Sequence, residues 1–300
     1  MMYDTLIIGS GMAGLSAAIY ASRARLRFAV VEKEYMGTGQ IAYTERVDNY
    51  PGYYGTDGFS LGEKFREHAE ILGAVFIDGE AVGFQRYDNG WKVTLADGSF
   101  LETRTVIYAA GAYPRTLDIA GEKEFSGRGV SYCALCDGAF FADKTVAVIG
   151  GGDTALEDAL YLSNHAEKVY LIHRRSQFRA NKTLQEKAFA CKNIELVLDA
   201  VPVKIMGTEN VTGIKIKQNG TEKAINADGV FVAVGTIPHT EAVKGTVSLD
   251  SGGYIIAGED CKTSAKGFFA AGDVRTKKVR QVITAAADGA NAVISVSEYL

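Results

Sequence analysis

The 300-residue sequence predicts an α/β fold of two three-layer units, with the second unit inserted into a discontinuous first one. The main observation is an internal repeat. Residues 5–14 and 146–155 align without a gap, and each segment leads from a β-branched strand through glycines into a helix. A second strand follows each helix, at Phe28–Val31 and Val169–Ile172. Two strand–helix–strand units predict parallel sheets covered by helices, with ligands at the carboxyl ends of the strands.

Short segments of alternating polarity extend both units. Trp91–Leu95 lies between the turn sequences Asn89-Gly90 and Asp97-Gly98, which predicts antiparallel strands added to the first unit. The remaining predicted elements are strands at Val201–Met206, Val211–Lys217 and Gly267–Ala271, and a helix at about Gln281–Ser297.

No low-complexity linker marks the domain boundaries, so we place them at two prolines. Pro114 closely follows the strand and glycine of Val106–Gly111, and Pro238 closely follows those of Val230–Gly235. The predicted domains are therefore residues 1–114 with 240–300, and residues 115–239.

Composition excludes several classes of protein. A hydrophobic content of 47% is typical of globular proteins, and a net charge of −4 provides no basic patch for nucleic acid or a membrane. No apolar run approaches the roughly 20 residues of a membrane helix, and glycines break the apolar stretch Thr5–Tyr20, unlike a signal peptide. Four cysteines do not make a disulfide scaffold. We therefore expect a cytoplasmic protein.

The first glycine motif, Gly9-x-Gly11-x-x-Gly14, directly follows a strand and opens a helix, which is the context of a dinucleotide site. Such glycines permit a tight turn and close approach of a pyrophosphate, and the helix N-terminus attracts phosphates. Glu32, at the tip of the second strand, can accept hydrogen bonds from ribose hydroxyls. The alternative is a glycine turn that serves only packing. Because the strand, the helix and the acidic residue are all present, a nucleotide site is favoured over that alternative.

The second copy differs where the nucleotide is selected. Gly150-x-Gly152-x-x-Ala155 keeps the phosphate turn, but His173-Arg174-Arg175, followed by Arg179, stands where the first copy has Glu32. Guanidinium groups bind a 2′-phosphate that a carboxylate would repel. The motif therefore favours NADPH over the alternative of a solvated basic turn.

Further motifs resemble those of the low-molecular-weight thioredoxin reductases over nearly the whole chain. They are Cys133-Ala-Leu-Cys136-Asp137-Gly138, the second glycine turn, His173-Arg-Arg175 with Phe178-Arg179-Ala180, Phe269-Ala-Ala-Gly-Asp273-Val, and Arg280-Gln281 with Thr284-Ala285. The resemblance implies two Rossmann-like dinucleotide-binding domains, with FAD in the discontinuous one and NADPH in the inserted one. It also implies a homodimer that acts on thioredoxin or a thioredoxin-like small redox protein.

The glycine motifs and the resemblance together predict the residues that bind each cofactor, and the resemblance alone adds Gly39, Gln40, Asn49, Asp273, Arg280 and Gln281. For FAD they are Gly9, Ser10, Gly11, Ala13, Gly14, Glu32, Gly39, Gln40, Asn49, Gly111, Asp273, Arg280 and Gln281. For NADPH they are Gly151, Gly152, Asp153, Thr154, His173, Arg174, Arg175 and Arg179. Asp273 can hold ribitol hydroxyls, and a helix N-terminus near the flavin pyrimidine stabilises the negative charge of the reduced ring.

The C-x-x-C pair could be half of a zinc site, but a closed site needs four ligands, and the sequence has no second C-x-x-C or H-x-x-x-H pair. A redox disulfide is therefore favoured, and we expect no metal. By resemblance, Cys136 is the thiol next to the flavin, and Cys133 is the interchange thiol that attacks the partner. The resemblance also implies that Asp137, next to the thiols, would be the proton donor and acceptor, because dithiol exchange moves protons at each step.

These observations predict an NADPH-dependent thioredoxin-disulfide reductase, in which electrons pass from NADPH through FAD to Cys133–Cys136 and then to the partner. Three alternatives stay open. The first is a family member with another donor, such as ferredoxin, although the intact second glycine turn and its arginines argue against it. The others are a flavin-dependent dithiol oxidase and a non-catalytic redox sensor.

Overall fold

The computed structural model of the chain describes residues 2–34, 37–44, 46–88 and 90–300. The chain divides into two compact units, Met1–Tyr113 with Ile237–Leu300 (unit 1) and Pro114–Thr236 (unit 2). Among the described residues, no helix has the length and apolar character needed to cross a membrane.

The helices and strands are numbered in chain order. The helices are α1 (Met12–Arg23), α2 (Gly58–Ile71), α3 (Ala134–Asp137), α4 (Asp153–Ser163), α5 (Lys182–Ala190) and α6 (Val282–Tyr299). The strands are β1 (Tyr3–Ile8), β2 (Phe28–Glu32), β3 (Phe76–Asp78), β4 (Ala81–Tyr87), β5 (Gly90–Leu95), β6 (Phe100–Tyr108), β7 (Ala112–Pro114), β8 (Val130–Ser131), β9 (Thr145–Ile149), β10 (Lys168–Ile172), β11 (Ile194–Val197), β12 (Ala200–Gly207), β13 (Val211–Gln218), β14 (Thr221–Asn226), β15 (Gly229–Val232), β16 (Thr236–Pro238) and β17 (Phe268–Ala270). Short 3-10 helices span Gly39–Tyr43, Gly138–Phe141, Glu241–Val243 and Gly272–Val274.

Unit 1 is built on a mixed sheet with the strand order β3-β2-β1-β6-β5-β4, and β17 also pairs with β6. Strands β1, β2, β3, β6 and β17 are parallel, whereas β4 and β5 form an antiparallel extension. Successive residues of β1 face opposite sides, so Ile7 packs in the core with α1 and α6, while Leu6 and Ile8 pack in the other core with Trp91. All of β2 is buried, because both faces of the parallel sheet are covered.

Unit 2 repeats this arrangement with a parallel sheet of order β11-β10-β9-β15-β8. Val146 and Val148 of β9 pack against Leu156 of α4, whereas Ala147 and Ile149 belong to the opposite core, which includes β12 and β13. Strands β12, β13 and β14 form a separate antiparallel sheet.

The predicted fold class is confirmed: the chain is α/β, with two parallel sheets that each follow a strand–glycine–helix pattern. The predicted strands and the last helix are present, and their ends differ from the expected ones by at most six residues. The final helix, for example, starts at Val282, with Gln281 as its N-cap. The predicted Asn89-Gly90 turn falls on Asn89, which lies outside the described residues.

Candidate active site

The first glycine turn joins β1 to α1, and each glycine has a steric reason. Gly9 has a φ of +105°, and a Cβ there would lie 2.6 Å from the carbonyl oxygen of Ala109. A Cβ on Gly14 would lie 1.8 Å from the carbonyl oxygen of Gly9. At Gly11 the nearest atom to a Cβ would be 3.9 Å away. The turn thus leaves open backbone at the start of a helix that no side chain caps, which suits a pyrophosphate.

The other residues predicted to bind FAD also belong to unit 1. Gly39 lies against the turn, because its Cβ would be 3.0 Å from the Cα of Gly11. The side-chain amide of Asn49 donates a hydrogen bond of 2.9 Å to Oε1 of Gln281. Ser10 and Ala13 are buried, Gln40 is exposed, and Gly111 has a φ of +71°. The structure therefore brings Gly39 to the glycine turn and joins Asn49 to the start of α6.

Glu32 lies at the end of β2 and is paired with an arginine that sequence reasoning missed. Arg66 of α2 donates to both carboxylate oxygens of Glu32, at 2.7 and 2.9 Å, and both residues are buried. The guanidinium carbon of Arg66 also lies 4.0 Å from the centre of the Phe76 ring. Each carboxylate oxygen can accept a further hydrogen bond, so the pair is compatible with a ribose hydroxyl at Glu32. No spacing in the sequence relates Arg66 to Glu32.

The hydrogen bonding of Asp273 indicates whether the residues of unit 1 fit a flavin. Asp273 lies in the 3-10 turn after β17, and its buried Oδ1 has no hydrogen-bond partner within the described ranges. Burial, as the largest cause, raises the pKa of Asp273. A buried carboxylate oxygen without a donor is costly unless a ligand supplies one. The hydroxyls of a ribitol chain are such donors, so the site fits the group.

A buried ion network holds the turn that carries Asp273. Oδ2 of Asp288 accepts bonds from the backbone N–H of Gly272 (2.8 Å), Nε of Arg275 (2.8 Å) and Nζ of Lys277 (2.9 Å). Nη2 of Arg275 binds the other oxygen at 2.7 Å. The guanidinium of Arg280 lies over the Tyr254 ring, 4.1 Å from its centre. The sequence did not indicate this network, because Asp288 is one polar residue within a predicted helix.

The second glycine turn, between β9 and α4, has the same form. Gly150 has a φ of +159°, and a Cβ there would lie 2.6 Å from the Cβ of Ala155. Gly152 is the N-cap of α4, and a Cβ on it would meet no atom of the described residues within 4 Å. Like Gly11, Gly152 therefore leaves open backbone at the start of a helix.

His173 supports this turn by packing. A Cβ on Gly151 would lie 2.2 Å from the imidazole ring, and the ring stacks on Phe178 with centres 5.3 Å apart. Burial is the largest cause that lowers the pKa of His173, and Arg179 lowers it further. The buried imidazole is thus neutral near pH 7 and packs against the backbone of the second glycine turn.

The basic loop after β10 is tied to the same turn. The backbone N–H of Arg179 donates a bond of 2.7 Å to the carbonyl of Gly151. Oδ1 of Asp153 accepts from the backbone and side chain of Asn181, at 2.7 and 3.2 Å. The side chains of Asp153, Thr154, Arg174, Arg175 and Arg179 are exposed. The structure therefore places three exposed arginines on a loop that is hydrogen-bonded to the second glycine turn.

Cys133 and Cys136 form a disulfide in the short helical turn after β8, with Cα atoms 5.3 Å apart. The backbone N–H of Cys136 donates to Sγ of Cys133 at 3.2 Å, and that of Asp137 donates to the Cys133 carbonyl at 3.1 Å. Ser131, which sequence reasoning missed, donates from Oγ to Oδ2 of Asp137 at 2.6 Å. A serine two residues before a C-x-x-C was the available signal. The described part of the chain contains no group of three His, Cys, Asp or Glu side chains suited to a metal ion.

Comparisons with known proteins agree with these features. The family model of pyridine nucleotide-disulphide oxidoreductases matches residues 3–289. The chain is 42% identical to the thioredoxin reductase of Peptoclostridium acidaminophilum, covering 100% of this chain and 97% of that one, and 40% identical to that of Bacillus subtilis, covering 100% and 95%. It superimposes on the crystal structure of thioredoxin reductase from Streptococcus pyogenes with a TM-score of 0.94 and 42% identity, over 99% of this chain and 98% of that one. The chain therefore belongs to the pyridine nucleotide-disulphide oxidoreductase family and, within it, to the thioredoxin reductases of the low-molecular-weight type.

Proposed function

We propose that the chain binds FAD in unit 1 and NADPH in unit 2 and uses Cys133–Cys136 to reduce thioredoxin or a thioredoxin-like protein. Membership of the family implies a flavin and a pyridine nucleotide. One observation carries the finer proposal: the disulfide lies in the unit whose glycine turn is flanked by three exposed arginines. On the family resemblance, we also propose a cytoplasmic homodimer without nucleic-acid or membrane partners.

In unit 1, the residues bind and orient. The backbone around Gly11 and the N-terminus of α1 would hold the pyrophosphate, and the Glu32 carboxylate, fixed by Arg66, would accept from the ribose. Asp273 would accept from the ribitol through its unpaired oxygen. When bound, the flavin would accept a hydride equivalent from NADPH and supply two electrons to the disulfide.

In unit 2, the residues select the donor. Gly152 and the N-terminus of α4 would hold the pyrophosphate of NADPH, and His173 would support Gly151 from its buried side. The 2′-phosphate would be bound by Arg174, Arg175 and Arg179, because guanidinium groups form charge-assisted bonds with phosphate.

The reduced cysteines would then exchange with the partner's disulfide. The Cys133 thiolate attacks one partner sulfur, so that a mixed S–S bond forms and the partner's own S–S bond breaks. Asp137 passes the proton of the second thiol to the sulfur that leaves. The Cys136 thiolate next attacks Cys133, which restores their disulfide and releases the second partner sulfur. The N–H of Cys136 that points at Sγ of Cys133 supports Cys133 as the thiolate that attacks.

Identification of the bound cofactor tests the flavin assignment. We expect the purified protein to be yellow and to release one FAD per chain on heat denaturation, as resolved by chromatography against FMN. Release of FMN, or of no flavin after purification in FAD-containing buffer, would contradict the assignment.

We expect a strong preference for NADPH over NADH. Loss of one charge-assisted phosphate contact, as in Arg175→Ser, should lower kcat/KM for NADPH about tenfold to a hundredfold, because such a bond contributes about 1.5–3 kcal/mol. The value for NADH should not change. Lys223→Ala, which removes one exposed positive charge elsewhere in unit 2, is the matched control. Equal kcat/KM for the two nucleotides in the wild type would contradict the proposal.

Asp273→Asn should weaken FAD binding but stabilise the apoprotein. Because burial raises the pKa of Asp273 above the ordinary 3.8, the folded chain binds this proton more tightly than the unfolded chain does. The ionised carboxylate therefore costs stability at neutral pH, and the cost vanishes as the pH falls through the raised pKa. We expect a higher Tm for the apo variant at neutral pH, a difference that shrinks in acid, and about tenfold weaker FAD binding. Unchanged FAD affinity in a fluorescence titration would count against this role.

A further inference from the structure

We propose that Ser131 is a positioning residue of the dithiol exchange, because its hydroxyl holds the Asp137 carboxylate beside the redox disulfide. This inference rests on the proposed role of Asp137 as proton donor and acceptor. Ser131 lies outside the C-x-x-C-D segment, and its effect on the reaction would pass through Asp137.

The sheet fixes the position of Ser131. It is the last residue of β8 and is 5% exposed. It pairs with Phe231 of β15, while its neighbour Val130 pairs with Val230. Its side chain therefore belongs to the rigid parallel sheet, whereas the disulfide lies in the turn that follows.

The hydrogen-bond geometry determines where the single hydroxyl proton goes. Oγ of Ser131 lies 2.6 Å from Oδ2 of Asp137 and 3.3 Å from the carbonyl oxygen of Cys133. The shorter distance is that of a charge-assisted O–H···O bond, so the proton is donated to the carboxylate. The same Oγ accepts the backbone N–H of Cys133 at 3.1 Å. One hydroxyl thus links the backbone of the interchange cysteine to the carboxylate that moves its protons.

The hydrogen bond from Ser131 helps to orient the Asp137 carboxylate, which the backbone hydrogen bonds of the turn do not do. The N–H of Asp137 donates to the Cys133 carbonyl at 3.1 Å, which fixes the backbone of the turn but not the orientation of the carboxylate. Proton transfer between a carboxylate and a departing sulfur requires hydrogen-bond geometry at the moment of exchange. The Ser131 hydroxyl ties Oδ2 of the carboxylate to the end of β8 and to the backbone of Cys133.

The test is a double-mutant cycle on the holoenzyme with thioredoxin as substrate. Ser131→Ala should lower kcat about tenfold, as expected for a lost hydrogen bond to a charged group, with KM for thioredoxin unchanged. Asp137→Asn should lower kcat on the order of 10²-fold, as for a lost general acid. Because Ser131 acts through Asp137, the double variant should be no slower than Asp137→Asn alone.

Ser163→Ala is the matched control, since it also deletes a hydrogen-bonded serine hydroxyl in unit 2, in this case a half-buried one that donates to the Leu160 carbonyl; we expect wild-type turnover. The rate of flavin reduction by NADPH should be unchanged in Ser131→Ala. A double variant about tenfold slower than Asp137→Asn, a change in KM alone, or lost flavin reduction in Ser131→Ala would each overturn the positioning role. Wild-type turnover in Asp137→Asn would instead contradict the proposed role of Asp137 itself.

Discussion

Replacement of Cys133 or Cys136 by serine is expected to abolish thioredoxin reduction while the flavin stays bound and is still reduced by NADPH. The disulfide belongs to unit 2, whereas the first glycine turn, Glu32 and Asp273 belong to unit 1, so its loss should leave the residues proposed to bind FAD unchanged. Cys133→Ser removes the thiol that starts the exchange, and Cys136→Ser removes the thiol that resolves the mixed disulfide, so neither variant completes a turnover. Turnover with thioredoxin should fall below detection in both variants, as measured by NADPH oxidation.

The two variants should differ in the flavin spectrum. Cys133→Ser leaves the Cys136 thiol, which we assign to the flavin side, free to perturb flavin absorption, and Cys136→Ser removes it. Cys191→Ser is the matched control, because Cys191 is a free cysteine of the same unit, and it should turn over normally. The other free cysteine, Cys261, cannot substitute, since it lies in unit 1 and burial raises its thiol pKa to about 12. Near-wild-type turnover in Cys133→Ser would refute the interchange assignment.

Gly11→Ala and Gly152→Ala should each remove one nucleotide and spare the other. Among the atoms that the structure describes, a Cβ at Gly11 would have its nearest neighbour at 3.9 Å and one at Gly152 would have none within 4 Å, so we expect the apoprotein to tolerate both methyl groups. The methyl groups would instead meet the pyrophosphates, because this glycine is where backbone approaches phosphate. Overpacking of about 3 kcal/mol corresponds to a loss of affinity on the order of 100-fold.

The readouts are FAD content and the KM for NADPH. Gly11→Ala should be purified with little FAD and should keep the Tm of the wild-type apoprotein. Gly152→Ala should be yellow, with a raised KM for NADPH. Gly14→Ala is the contrasting variant, since its Cβ would lie 1.8 Å from the Gly9 carbonyl and should destabilise the fold itself. Normal FAD content in Gly11→Ala would show that the turn does not hold the pyrophosphate.

The local elements were predictable because their signals are short in range. A strand, a glycine turn and a helix follow one another within about 20 residues of each copy, and the pairing of Cys133 with Cys136 spans three residues. The glycines that predicted the turns are also required by the steric contacts in the structure. Gly9 and Gly14 are examples, since neither tolerates a Cβ.

The supporting residues were not predictable, because each depends on packing between distant segments. Arg66 reaches Glu32 across 34 positions, and Asp288 binds the N–H of Gly272 across 16. His173 belongs to a basic run that indicates phosphate, yet its ring is buried against Gly151. The tertiary packing around the loop determines which residue of the basic sequence 173–175 is buried.

The most direct measurement of the central claim is anaerobic NADPH oxidation by the purified yellow protein, with and without oxidised thioredoxin. We predict that, after one initial reduction of the enzyme, NADPH is consumed only when thioredoxin is present, with one NADPH used per thioredoxin disulfide reduced. A dithiol oxidase or a redox sensor would not sustain this reaction, and a ferredoxin-dependent enzyme would not use NADPH. Failure of oxidised thioredoxin to sustain NADPH oxidation would contradict the account.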